Sequence, residues 1–322
     1  MPSWRPTSPV AVARRRAAML ERARAYFAAR DVLAVDTPAL SAWTCTDPNI
    51  DSITAQRTPT SIDYLQTSPE SAMKCLLAAG YPDIYSVSRV FRAGEQGSRH
   101  LAEFTLLEWY RLDFDLTAMV ADTIALIAHC LMQPELEQQA DVLDYADVFL
   151  EHAGVNVFTA SVDDLASASQ ADDSLRAALG PDRDAWLDLL VTSHIAPAFA
   201  PDRLTVLRHY PRSQAALARP CPADTRVADR FEVFRGTLEL ANGYVELADA
   251  NEQCTRFAAD NERRQQAGKS VVPGDPLLLA ALDSGLPACA GVAVGFERLQ
   301  MIFEQVDDIA KVVTFAARNS DA

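Results

Sequence analysis

The stretch that most limits the fold of this chain is residues 84–111, IYSVSRVFRAGEQGSRHLAEFTLLEWYR. Two runs rich in β-branched and aromatic residues, Ile84 to Arg92 and Glu103 to Arg111, flank a polar segment containing Gly94 and Gly97, a pattern that predicts strand, loop and antiparallel strand. Period-two alternation puts Phe104, Leu106, Glu108 and Tyr110 on one face of the second strand. Arg92 closes the first strand, and Arg99 and His100 stand where the chain returns, so one end of the hairpin is cationic beside an aromatic ring. A guanidinium for phosphates and a ring for a base suit a nucleotide. An ordinary amphipathic hairpin with charged loop residues satisfies the same pattern.

A second hairpin is expected in residues 230–247, RFEVFRGTLELANGYVEL. A two-residue turn at Arg235–Gly236 would set Glu232 directly opposite Glu239. Carboxylates so placed repel. In water the pair is tolerated, whereas a buried pair needs a cation, and oxygen ligands suit Mg²⁺. Residues 291–303, GVAVGFERLQMIF, alternate Gly291, Ala293 and Gly295 along a strand, leaving one face nearly bare so that another molecule can approach the backbone. Arg298 opens the following helix.

The rest of the chain supplies the frame. Val12, Ala17, Leu20, Ala23 and Phe27 recur at helical spacing in residues 10–30, and DVLAVDTPAL follows as a short strand ending at Pro38. Residues 49–66 read as strand, turn, strand and deliver the chain to TSPE, where Ser68 is a helix cap, Pro69 a first helical residue and Glu70 an early-turn acid. The helix SAMKCLLAAG closes at Gly80. Further helices are expected at 116–131, 145–153, 161–179, 183–195 and 252–268, and a strand at 204–210. His129, His152 and His194 read as packed or solvated residues, and His209 as a strand-end residue. The pattern predicts an α+β fold, an antiparallel sheet flanked by helices, in one domain spanning 1–322 with a mainly helical insertion at about 113–203.

Charge narrows the partners. A net charge of -15 on 322 residues weighs against a protein that wraps a polyanion. The six cysteines, among them Cys221 and Cys254, form no CxxC pair, so neither a disulfide framework nor a zinc site is expected. The N-terminus lacks a secretory pattern and no stretch reaches the ~18 apolar residues of a membrane span, which points to a cytoplasmic protein without membrane partners.

The segment FR followed by RHxxEFTxLEWY resembles motif 2 of the class II aminoacyl-tRNA synthetases in the form used by the lysyl branch. The helix, strand and Pro38 near the N-terminus resemble motif 1, and GVAVGFERLQMIF resembles motif 3. The resemblance covers nearly the whole chain. It implies a class II synthetase-like catalytic domain that uses ATP and Mg²⁺. Arg92 and Arg298 would stabilise the ATP phosphates during reaction; His100, Phe104, Leu240 and Gly295 would line the nucleotide; and Glu232 and Glu239 would hold Mg²⁺, with Glu239 also bordering ATP. Ser68, Pro69, Glu70, Glu108, Tyr110, Asn242, Glu246 and Ala293 would surround the amino acid, and Glu108 with Glu246 gives two carboxylates for one side-chain amine. Motif 1 implies a homodimer. Where the family commonly writes FRxE this chain has Ala93, Gly94 and then Glu95, and Leu101 replaces an Asn.

The chain begins directly at the motif 1 helix, with no anticodon-reading β-barrel before it, so tRNA is not the expected acceptor. In this it resembles the paralogous group that attaches (R)-β-lysine to a lysine side chain of translation elongation factor P. Ala293 supports that choice, because a methyl where the lysyl enzymes carry Gly narrows the pocket beside the α-amino group. Two alternatives stay open at this stage: a synthetase-like binding protein without catalysis, and an amino-acid ligase with another small acceptor.

Overall fold

The computed structural model describes residues 4–316. Its strands are β1 (Leu33–Ala34), β2 (Leu40–Ser41), β3 (Thr54–Thr58), β4 (Ser61–Leu65), β5 (Ile84–Phe91), β6 (Glu103–Leu112), β7 (Asp141–Asp144), β8 (Thr205–Arg208), β9 (Arg230–Arg235), β10 (Leu238–Val245) and β11 (Cys289–Gly295). The chain forms two compact units, the first made of the described residues up to Asp113, His129–Gln133 and those from Ala248 onward, the second of Phe114–Ala128 and Pro134–Leu247.

In the first unit the strand order is β1-β5-β6-β11, and β5 and β11 both run antiparallel to β6. The pleat divides the aromatic residues between two layers. Tyr85 pairs with Trp109 across β5 and β6, and Phe27 of the helix Val10–Ala28 stacks on Tyr85 at 4.3 Å and meets Trp109 edge-on at 5.5 Å. The neighbouring rung, Ile84 with Tyr110, turns to the opposite face and packs with Met73, Leu77, Leu278 and Leu282 from the helices Glu70–Ala78 and Pro276–Gly285. Each buried aliphatic side chain contributes about 1.5–3 kcal/mol, so these two layers fix which face of β6 each residue occupies. A three-stranded sheet, β2-β4-β3, completes the unit.

A buried ion pair ties three elements of this unit together. Glu297, in the first turn of the helix Phe296–Glu304, accepts from Arg16 Nη2 at 2.7 Å and from the Thr105 backbone N–H at 2.8 Å. Arg16 lies on the Val10–Ala28 helix, and its nitrogen also donates to Thr105 Oγ1 at 2.7 Å.

The second unit has the order β10-β9-β8-β7, with β7 parallel to β8 and the other neighbours antiparallel. Tyr145, Phe149, Trp186, Leu187 and Leu190 pack with Leu207 and Phe234 on one face of it. The helices Leu116–Leu131 and Tyr145–Ala153 form where the periodicity predicts. The expected helix over 161–179 is instead two, Val162–Ala168 and Asp173–Leu179. Gln170 takes a left-handed φ of 56°, and Asp172 caps the second helix by accepting from the Leu175 N–H, so a stop and a new start fall inside one apolar pattern. The helix expected at 183–195 is α-helical over Arg183–Leu190 and widens to a π-turn over Val191–Ile195. The strand expected at 204–210 ends at Arg208, where His209 adopts φ 59°.

The register of β9 and β10 corrects the expected facing of Glu232 and Glu239. Arg235 pairs with Leu238, so the loop is Gly236–Thr237, with Gly236 at φ 54°. Glu239 then faces Phe234, the register shifts between Glu239 and Ala241, and Glu232 faces Asn242. The cause is a bulge at Leu240, which inserts one residue into β10. Alternation puts Arg230, Glu232 and Phe234 on one face of β9, and their partners Tyr244, Asn242 and Glu239 share it. Glu239 is therefore two rungs along from Glu232, on the same side.

Candidate functional site

In the first unit a buried carboxylate is held between strand and helix. Glu108, 2% exposed, lies on the Tyr110 face of β6. Tyr110 OH donates to its Oε1 at 2.8 Å and Ser68 Oγ donates to Oε2 at 2.7 Å. The Ser68 oxygen in turn accepts the Glu70 N–H at 3.1 Å, so it caps the helix, which begins at Glu70 after Pro69, and orients the acid at once. Glu70 accepts from Lys74 Nζ at 2.6 Å, one turn along. Burial first, and the nearby Glu70 charge second, push Glu108 up to about 7, against the opposing pull of the Ser68 and Tyr110 hydrogen bonds and of Lys74. A carboxylate so placed gains most by meeting an ammonium group, which restores the charge that burial disfavours. Across the sheet Ala293 pairs with Glu108 and Gly291 with Tyr110, so the neighbouring strand offers only small side chains on this face.

The cationic residues of the same unit lie in and beside the loop between β5 and β6. The Arg92 guanidinium lies 5.2 Å from the Phe104 ring centroid, and its Nε donates to Thr67 O at 3.4 Å. Glu95, the carboxylate that arrives one residue late, reaches Arg92 Nη1 at 3.5 Å. Arg298 Nη2 donates to His100 Nε2 at 2.8 Å, and its Nε donates to Arg99 O at 3.3 Å. A guanidinium has no acceptor, so His100 Nε2 carries no proton in this arrangement and the ring presents Nδ1–H. Gly295 pairs with Leu106 at the end of β11, immediately before the helix that bears Arg298.

In the second unit Glu232 sits in a polar network of its own. Its Oε1 accepts from Arg230 Nη2 and its Oε2 from Tyr210 OH at 2.6 Å. Arg230 also donates through Nε to Asn242 Oδ1 at 3.1 Å and through Nη1 to Gln214 O at 2.6 Å, while its plane lies 4.4 Å from the Tyr210 ring. Burial pushes Glu232 up to about 7; Arg230 opposes the rise and Glu239 adds to it. Asp188, bound to Gln214 Nε2 at 2.7 Å, is raised by burial to about 6. Leu240, the bulged residue, is 1% exposed and belongs to the interior. Glu246 follows β10, buried, and its backbone bridges to Ala218.

The sequence reading missed three side chains. Lys74 was legible, since it stands one helical turn after Glu70. Arg230 was legible as the residue two before Glu232 on one strand face, and it supplies the cation that a buried carboxylate requires. Tyr210 comes from a separate segment beyond β8, and no local pattern links it to Glu232.

The chain belongs to the class II tRNA synthetase family (D, K and N), whose family model matches residues 4–319. Several of its relatives share one name. It is 40% identical over 318 residues to the elongation factor P–(R)-β-lysine ligase of Pseudoalteromonas translucida, covering 97% of each chain. It is 39% identical over 323 residues to the ligase of the same name from Photorhabdus laumondii, covering 98% of this chain and 97% of that one. The ligase so named from Klebsiella pneumoniae is 39% identical over 320 residues. Among the described residues no helix is long and apolar enough to cross a membrane.

Proposed function

We propose that this protein activates (R)-β-lysine, or lysine, with ATP and transfers it to a lysine side chain of elongation factor P. The observation that carries the reading is the buried carboxylate of Glu108 held by Ser68 and Tyr110 with Glu70 nearby, an ammonium-binding arrangement in a chain that matches a β-lysine ligase over 97% of its length. In the first step the amino-acid carboxylate attacks the α-phosphorus and the bond to the β-phosphate oxygen breaks, giving aminoacyl-adenylate and pyrophosphate. Arg92 and Arg298 stabilise the negative charge that develops, and Phe104 stacks on the base, beside His100 and Gly295. In the second step the ε-amine of the acceptor attacks the acyl carbon, AMP leaves and the amine loses a proton.

The donor set of the second hairpin supports Mg²⁺. Glu232 and Glu239 share a strand face, and Glu239 adds to the disfavouring of charge on buried Glu232, a conflict that a dication relieves. When bound, the ion neutralises phosphate charge. Arg230 is the protein's own cation on Glu232 and orients both that acid and Asn242. Ala293 supports the β-amino preference, since its methyl stands in register with Glu108.

We read the chain as one catalytic domain carrying a helical insertion at about 113–203, in a cytoplasmic homodimer built through the motif 1 helix. Sedimentation at a monomer mass would remove the dimer. The test of the activity is ATP–pyrophosphate exchange with lysine, (R)-β-lysine or no amino acid, followed by AMP release on adding elongation factor P. Exchange that depends on the amine, strongest with (R)-β-lysine, is the expected result; a folded protein that shows none with either amine overturns the reading.

A further inference from the structure

Three side chains of the second unit converge beside the start of β9. His209, Cys221 and Asp229 bring a ring nitrogen, a sulfur and a carboxylate oxygen to within 4.8 Å of one another. Their backbones are pinned: His209 N donates to Arg230 O at 2.9 Å, Cys221 N to Val227 O at 2.9 Å and Asp229 N to Arg219 O at 3.0 Å. Cys221 and Asp229 are buried, at 7% and 4% exposure, and His209 is half-buried. His209 also holds a left-handed backbone at φ 59°, a conformation unfavourable for a non-glycine residue.

The surroundings are those that metal ligands have. His209 Nδ1 meets Asp144 Oδ1 at 2.5 Å, and Asp144 is held by Arg208 at 3.2 Å. Arg219 Nε donates to Asp229 Oδ2 at 2.8 Å. A carboxylate on the outer nitrogen of an imidazole, and a donor on the outer oxygen of an acid, fix ligand orientation at metal centres.

We propose that His209 Nε2, Cys221 Sγ and Asp229 Oδ1 form a Zn²⁺ site, with a water molecule in the fourth position. One nitrogen, one thiolate and one carboxylate favour zinc over magnesium or calcium. Bond lengths of roughly 2.0–2.3 Å place tetrahedral ligands closer together than the present limit, so binding draws the three side chains inward. Binding forms the Zn–S bond and releases the thiol proton to solvent. Thiolate and carboxylate together balance the charge of the ion. The wide spacing of the three residues and the single cysteine hide the site from motif reading.

The test uses the full-length protein stripped by chelator and titrated with Co²⁺, read by the near-ultraviolet thiolate-to-cobalt charge-transfer band. The band is expected in the wild type and in Cys254→Ser, whose substituted thiol is exposed, and absent in Cys221→Ser. Asp144→Asn should bind Co²⁺ about 10–100-fold more weakly. His209→Gln, with its circular dichroism compared to wild type, guards against a folding defect in the cysteine variant. No band in the wild type, a band that survives Cys221→Ser, or unchanged affinity in Asp144→Asn overturns the site. The spectrum is independent of ligase activity, so the result stands apart from the proposed reaction.

Discussion

Replacing Glu108 by Gln should make the protein more stable and a far poorer binder of its amine. In the folded protein Glu108 keeps its proton up to about 7, whereas the unfolded chain releases it near the ordinary value of 4.5. The stability this group contributes is therefore complete below 4.5 and is lost as pH rises through 7. At 1.36 kcal/mol for each pKa unit, holding Glu108 ionised at pH 8 costs about 3 kcal/mol. Gln removes that cost but cannot accept from both Ser68 and Tyr110, a loss of about 1 kcal/mol, which leaves a net gain of about 2 kcal/mol. Lysine binding should weaken by at least about 100-fold, the effect of removing one partner from a buried ion pair. Unfolding followed from pH 5 to 8, with calorimetric titration of lysine at pH 8, tests both effects. The stability gap should be greatest at pH 8 and close toward pH 5. A variant less stable than wild type at pH 8, or parallel profiles for the two proteins, would refute the assignment of Glu108 as a buried acid waiting for a cation.

Arg230→Met leaves Glu232 buried without its cation and should destabilise the protein by about 3–5 kcal/mol at pH 8, less at pH 6 where Glu232 protonates. A loss below about 1 kcal/mol in thermal unfolding would mean that Arg230 is not what keeps that acid charged. Phe104→Ala should weaken ATP by the ~1–3 kcal/mol typical of base–aromatic stacking while lysine affinity is unchanged. Equal ATP affinity in the two proteins would move the base off this ring.

How much of this was legible depended on how local each signal was. The face bearing Glu108 and Tyr110 follows from alternation along one strand, and its buried aliphatic neighbours agree with the register. The cationic end followed from residues near the β5–β6 loop, although the contact of Arg298 with His100 joins segments 198 residues apart and rests on topology. The second hairpin was misread by one small feature. A turn at Gly236–Thr237 and an extra residue at Leu240 carry no composition signal that separates them from the turn expected one residue earlier. The break at Gln170 was hidden in the same way, because apolar periodicity continues through it while the backbone does not.

The bulge at Leu240 acts as a phase shift in how β10 is read. Upstream of it Glu239 is displayed to one side; downstream that side is taken up by Asn242 and Tyr244, three and five positions later. Drawn into the ladder instead of bulged out, Leu240 would face Phe234 and Glu239 would face Arg235, on the side away from Glu232, so a hairpin with regular pairing would present a different set of groups. Regularity and chemical content are therefore separable in this strand, and the single surplus residue keeps two acids and an amide on one surface.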